Sequence, residues 1–122
     1  MNILLISTFA ILGAISRYSI GYVIQRMQPY FPIGTLAINV TGSFLLALFL
    51  SLSINKLTIS PQWRTAVSIG FFGSFTTFST FTYESYSLLS DGEYTRATLY
   101  VFSSIILGIG AAFLGFKLGE ML

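Results

Sequence analysis

Four apolar runs of about twenty residues leave this chain few ways to fold. They cover roughly residues 3–23, 33–54, 65–89 and 98–118. About twenty apolar residues is the length at which an α-helix crosses the hydrocarbon core of a bilayer. In that core every backbone N–H and C=O needs an internal partner, which a helix supplies. The segments between the runs, QRMQPYFP, NKLTISPQWR and SDGEYTR, hold the proline, glycine and charge that mark loops. The sequence therefore reads as an all-α membrane protein, a single domain over residues 1–122 with four transmembrane helices. An even number of crossings places both termini on the same side.

Charge content points the same way. Of the 122 residues, 54% are hydrophobic and only 8% are charged, against about a quarter charged in a soluble domain. The opening MNILLISTFAILGAISRY lacks a basic stretch ahead of its apolar core and a small-x-small cleavage site. It is expected to be a retained first span rather than a signal peptide. His and Cys are both absent. That excludes imidazole and thiol catalysis, disulfides and Cys/His zinc sites. The net charge of +2 comes without a basic cluster, so nucleic acid is not an expected partner. There is no nucleophile–base pair or phosphate loop, and enzyme activity is not expected.

The distribution of cations leaves orientation open. Lys56, Arg64 and Lys117 fall on one side, and Arg26 and Arg96 on the other, where Arg17 also tends. The positive-inside rule needs a larger bias than this to choose a side. Two readings fit: neighbouring proteins or lipids decide, or the chain inserts both ways. Insertion both ways would allow an antiparallel dimer. Four helices packed on their own side chains leave no pore, so a transport function implies oligomerisation. The fourth run offers small residues at four-residue spacing, Ala111, Gly115 and Gly119, and beside them Ser104, Gly108 and Ala112. Such spacing suits close helix approach, either between copies or within one.

The third run is chemically unlike a lipid-facing helix. Residues 70–83, GFFGSFTTFSTFTY, contain no charge, two glycines, four threonines, two serines and five phenylalanines. Gly70 and Gly73 weaken a helix, and Thr76, Thr77, Thr80 and Thr82 are β-branched. The pattern predicts an interruption near residues 73–77, which would leave carbonyls and amides at membrane depth for an ion to satisfy. The alternative is an unbroken helix whose hydroxyls bond back to the preceding turn. Phe75, Phe78 and Phe81 recur at threes beside a hydroxyl track. A phenylalanine stripe usually means packing, but ring edges facing a narrow path would attract an anion.

Three polar side chains stand out elsewhere. Asn39, mid-way along the second run, is costly to bury unpaired. It either joins two helices or donates to a passing ion. Arg17 is the one strong charge well inside a run, expected at the mouth of an aqueous vestibule where it would concentrate anions. Glu84 ends the charge-free stretch, with capping or a basic partner as its ordinary role. No carboxylate lies deep in the first, second or fourth run, which argues against a proton-coupled exporter of cationic drugs.

GAISRY at 13–18, GTLAINVTGSF at 34–44 and GFFGSFTTFSTFTYE at 70–84 closely resemble the motifs of the Fluc, or CrcB-type, family of fluoride channels. The resemblance covers all four runs. It implies an antiparallel, dual-topology homodimer in a prokaryotic plasma membrane, with two pores that passively export toxic fluoride and select against chloride. It also implies a structural sodium ion at the dimer centre, held by the backbone carbonyls of Gly73 and Thr76. By the same resemblance Phe78 and Phe81 line the pores, with Ser79 and Thr80 supplying hydroxyls between them. Asn39 faces the pore, Arg17 belongs to the first motif, and Tyr100 and Ser104 continue a polar track. Gly108 stands where some relatives carry a hydroxyl. Two other classes share the length and hydropathy: a four-span small multidrug transporter, and an accessory membrane subunit without transport.

Overall fold

Helix-forming apolar runs separated by short breakers give a chain of rods. In the computed structural model, which describes residues 2–122, α1 spans Ile3–Gln25 and α2 spans Ile33–Asn55. The Asn2 side chain caps α1 by accepting from the Leu5 N–H at 3.3 Å, satisfying one of the amides a helix start leaves free. A third rod, α3, starts at Pro61, where a missing N–H costs nothing. It is α-helical over Pro61–Thr65, widens into a π-helix over Ala66–Phe72, and returns to α for Gly73–Phe75. After a break, α4 spans Phe78–Ser90. Gly92, at a φ of 75°, makes the turn into α5, Tyr94–Met121. Only glycine takes that conformation without strain.

Three of these helices, α1, α2 and α5, are each long and apolar enough to cross a membrane. The fourth run is a bent element made of α3 and α4. Together its two pieces exceed about 30 Å at 1.5 Å rise per residue. The protein is an all-α, multi-pass membrane protein. Large apolar side chains such as Ile15, Ile106, Ile109 and Phe113 stand exposed along the helices, as a lipid environment requires.

The rods pack in two pairs. α2 lies along α5, while α1 lies against the π-helical part of α3 and also touches α2. Small residues set both approaches. A Cβ on Gly115 would collide with the carbonyl oxygen of Phe44, and one on Gly119 would stand 2.6 Å from the Ser51 side chain. The Gly115–Gly119 part of the four-residue stripe therefore serves packing within the chain rather than a free surface for another copy. Gly108 has nothing within 4 Å of its would-be Cβ. It faces outward.

The interruption falls inside the predicted interval. Thr76 (φ −85°, ψ 159°) and Thr77 (φ −148°, ψ 114°) are both extended. β-branched residues tolerate this geometry well. Back-bonding hydroxyls coexist with the break rather than replace it: Thr76 Oγ1 donates to the Phe72 carbonyl at 2.9 Å. The π-helix just before the break is a feature that composition did not reveal.

Candidate functional site

A helix that stops inside a membrane leaves polar backbone to be satisfied. Thr76 N–H still closes onto the Phe72 carbonyl at 3.0 Å. Thr77 N–H turns away and donates to Asn39 Oδ1 at 2.8 Å, and Asn39 Nδ2 donates back to the Thr77 carbonyl at 3.0 Å. One side-chain amide from α2 thus replaces two lost helical bonds. Gly42, one turn further along α2, makes room for the break. A Cβ there would collide with the Thr76 methyl and come within 3.1 Å of the Phe75 ring.

The carbonyls of Gly73, Ser74 and Phe75 close the last turn of α3. No amide follows them in helical register, because Thr77 N–H has gone to Asn39. No backbone amide from beyond the break reaches these oxygens, and of the three residues only Gly73 is exposed. Removing Asn39 would leave the Thr77 N–H and carbonyl without their partner. Asn39→Ala is expected to destabilise the protein by about 2 kcal/mol or more, since each buried group left unpaired costs about 1–3 kcal/mol. Equilibrium unfolding in detergent micelles measures this. A change within experimental error would mean that the break holds its own shape.

Below the break, Thr77 caps α4 by accepting from the Thr80 N–H at 3.3 Å. Its hydroxyl donates to that of Thr80 at 2.9 Å. Phe78, Ser79 and Thr80 all lie exposed in the first turn of α4, with Phe78 77% exposed. Phe75, by contrast, is buried, because the break rotates it away from the Phe78–Phe81 face. The Phe78 and Phe81 rings meet at 5.9 Å between centroids. Phe81 also sets an edge contact with Tyr100 at 5.3 Å.

Glu84 lies one turn further along α4, without a basic partner among the described residues. Its Oε1 accepts from the Thr35 hydroxyl at 2.8 Å, and its Oε2 from the Tyr100 hydroxyl at 2.7 Å. The expected basic partner or capping role is thus replaced by a carboxylate with two O–H donors. Tyr100 is fully buried in α5. Its phenolic proton is committed to Glu84, and its ring makes edge-to-face contacts with both Phe81 and Phe31.

These elements border a cleft of about 530 Å³ between α1, α2 and α4. Arg17, half-buried, lines it together with Thr35, Thr77, Thr80, Tyr83 and Glu84. The cleft therefore brings together one cation, one screened carboxylate and several hydroxyls. Ser104, one turn beyond Tyr100 on α5, has a buried hydroxyl without a partner. It does not line the cleft. The sequence reading gave no role to Thr35 or Gln25 and the wrong surroundings to Glu84. Their partners sit on other helices, at separations that no periodicity encodes.

Comparison with known proteins puts these residues in a family context. The family described as "CrcB-like protein, Camphor Resistance (CrcB)" matches residues 4–116. A protein of Acidobacterium capsulatum named "Fluoride-specific ion channel FluC" is 43% identical over 98% of this chain and 97% of its own length. Proteins of the same name from a Sulfurihydrogenibium species and a Roseiflexus species are each 42% identical. They cover 98% and 100% of this chain, and 97% and 99% of their own lengths.

Proposed function

The chain belongs to the CrcB-like family, whose curated relatives are named as ion channels rather than enzymes, and on that premise we propose that it is a fluoride channel of the plasma membrane. The observation that carries the reading to this molecule is the exposed face of Phe78, Ser79 and Thr80 beside the break. A single chain encloses no path there. In our reading a second, antiparallel copy covers that face and closes two equivalent pores, through which fluoride leaves passively down its gradient.

Physical chemistry sets what such a path must do. Fluoride is small and strongly hydrated, so entry requires donors that replace its water. Arg17 at the cleft would raise the local anion concentration. Ring edges of Phe78 and Phe81 offer weak positive potential, about 1 kcal/mol each by analogy with aromatic pairs. Hydroxyls of Ser79 and Thr80 and the second N–H of Asn39 supply the stronger interactions. Ser104, with its unpartnered hydroxyl, fits the far end of the track. Tyr100 contributes differently from the others, because its proton faces Glu84. Its part is to screen that carboxylate and brace Phe81.

The Gly73 carbonyl at the end of α3 and that of Thr76 in the extended break offer oxygens to a hard cation, which takes oxygen ligands. Gly73 and Thr76, contributed by both copies, would hold a sodium ion as a structural staple. Its charge would offset carbonyl dipoles facing each other across the symmetry axis.

Purified protein in liposomes tests the reading. Under a potassium gradient it should release fluoride and not chloride, and replacing sodium with a large organic cation should abolish that release. Drug-driven proton flux would instead indicate a small multidrug transporter, and no flux of either kind an accessory subunit. Fluoride release that persists without sodium would remove the staple from the account.

A further inference from the structure

Gln25, the last residue of α1, uses both N–H donors and the oxygen of its side-chain amide in holding the α1–α2 loop. Its Nε2 donates to the Gln28 carbonyl at 3.0 Å and to the Phe31 carbonyl at 2.9 Å. Its Oε1 accepts from the Gly34 N–H at 3.0 Å. That N–H is one of the amides a helix start leaves free, and no side chain at Pro32 caps it. The fit is close: a Cβ on Gly34 would stand 2.6 Å from the Gly21 carbonyl and 3.2 Å from Gln25 Oε1.

Two of the three backbone groups that Gln25 holds, at Phe31 and Gly34, flank the cleft. Phe31 places its ring against Tyr100, with centroids 5.7 Å apart and planes at 80°. Gly34 is followed by Thr35, whose hydroxyl donates to Glu84 at 2.8 Å. Tyr100 donates to the other Glu84 oxygen at 2.7 Å. One amide thus sets the register of both donors on a single carboxylate. We infer that Gln25 is a positioning residue for anion entry, acting by keeping the Thr35 and Tyr100 hydroxyls aligned on Glu84.

The reason is electrostatic. Glu84 puts a negative charge on the wall of a cleft that, in the reading above, admits an anion. Two aligned O–H donors draw that charge toward themselves, in surroundings where charge interactions are stronger than in water. When the donors drift, the carboxylate is bare and repels the anion. The inference rests on the channel reading, and its test separates the two.

Gln25→Met keeps the side chain's length and removes all three hydrogen bonds. Its fluoride flux in liposomes is compared with wild type, and the same substitution is made in a Glu84→Gln background. The expected result is a loss of about tenfold in the first case and no further loss in the second, because sites that act through shared partners couple rather than add. Dimer elution from gel filtration should be unchanged. An equal loss in both backgrounds would make Gln25 a structural brace only and overturn the inference. A second readout needs no flux: the infrared carboxylate band of Glu84, identified by its absence in Glu84→Gln, should shift in Gln25→Met. An unmoved band overturns the inference. A shifted band in a protein that conducts no fluoride would refute the channel reading alone. If Gln25→Met fails to assemble, Gln25→Leu replaces it, losing all three hydrogen bonds without adding a charge to the cleft.

Discussion

Lysines added to the α1–α2 and α4–α5 loops will force one orientation and reduce fluoride flux to background. The chain carries Lys56, Arg64 and Lys117 at one end and Arg26 and Arg96 at the other. Lys117 and Arg96 are in addition paired with Glu120 at 2.8 Å and Glu93 at 3.6 Å. Two or three extra cations in one loop set exceed the existing difference, so they should dominate insertion. If both orientations are needed, a forced population holds only half of each dimer. A copy biased the opposite way should restore flux when expressed with it, and neither should conduct alone. Full flux from a single forced orientation would dispose of the antiparallel arrangement. Accessibility of a cysteine introduced at the C-terminus reports which orientation each variant adopts.

Replacing either ring of the Phe78–Phe81 pair by isoleucine is the second large effect. Isoleucine keeps the site apolar but has no positive edge. The lost edge alone is worth about 1 kcal/mol, or roughly fivefold in rate. Phe81→Ile should cost more, about a hundredfold, because Phe81 also contacts Tyr100 at 5.3 Å and a loosened Tyr100 bares Glu84. Phe78 touches Phe81 at 5.9 Å and is otherwise exposed, so Phe78→Ile should assemble normally and still lose flux. Fluoride efflux set beside dimer elution separates the two roles. A variant that assembles and conducts at the wild-type rate would show that its ring only packs.

Gly70, Gly73 and the threonine run pointed to the break, with an unbroken, back-bonded helix as the alternative, because local backbone preference is a property of neighbouring residues. The same locality explains the errors. Glu84 looked ready for a basic partner, yet its partners are Thr35 and Tyr100, on different helices. Asn39 offered two readings, helix glue or ion donor. Both oxygen and nitrogen of its amide meet Thr77, which leaves one N–H for anything else. Gly115 and Gly119 suited close approach either between copies or within one, and they admit the backbone and side chains of α2.

The sequence by itself determined the class of solvent, the number and length of apolar runs, the interval in which a break of the third run would fall, and, through its motifs, the family. All but the family follow from hydropathy, chain length or backbone preference, which act over a few residues to one helix. Tertiary structure alone decided which polar groups meet. It brought Asn39 to the broken backbone, two hydroxyls to Glu84, and Gln25 to the loop that aligns them. Those pairings depend on helix rotation and approach, and these are set by packing against close-fitting small residues such as Gly34, Gly42 and Gly115. A shift of one residue in any helix would turn its polar side chain about 100° away from its partner.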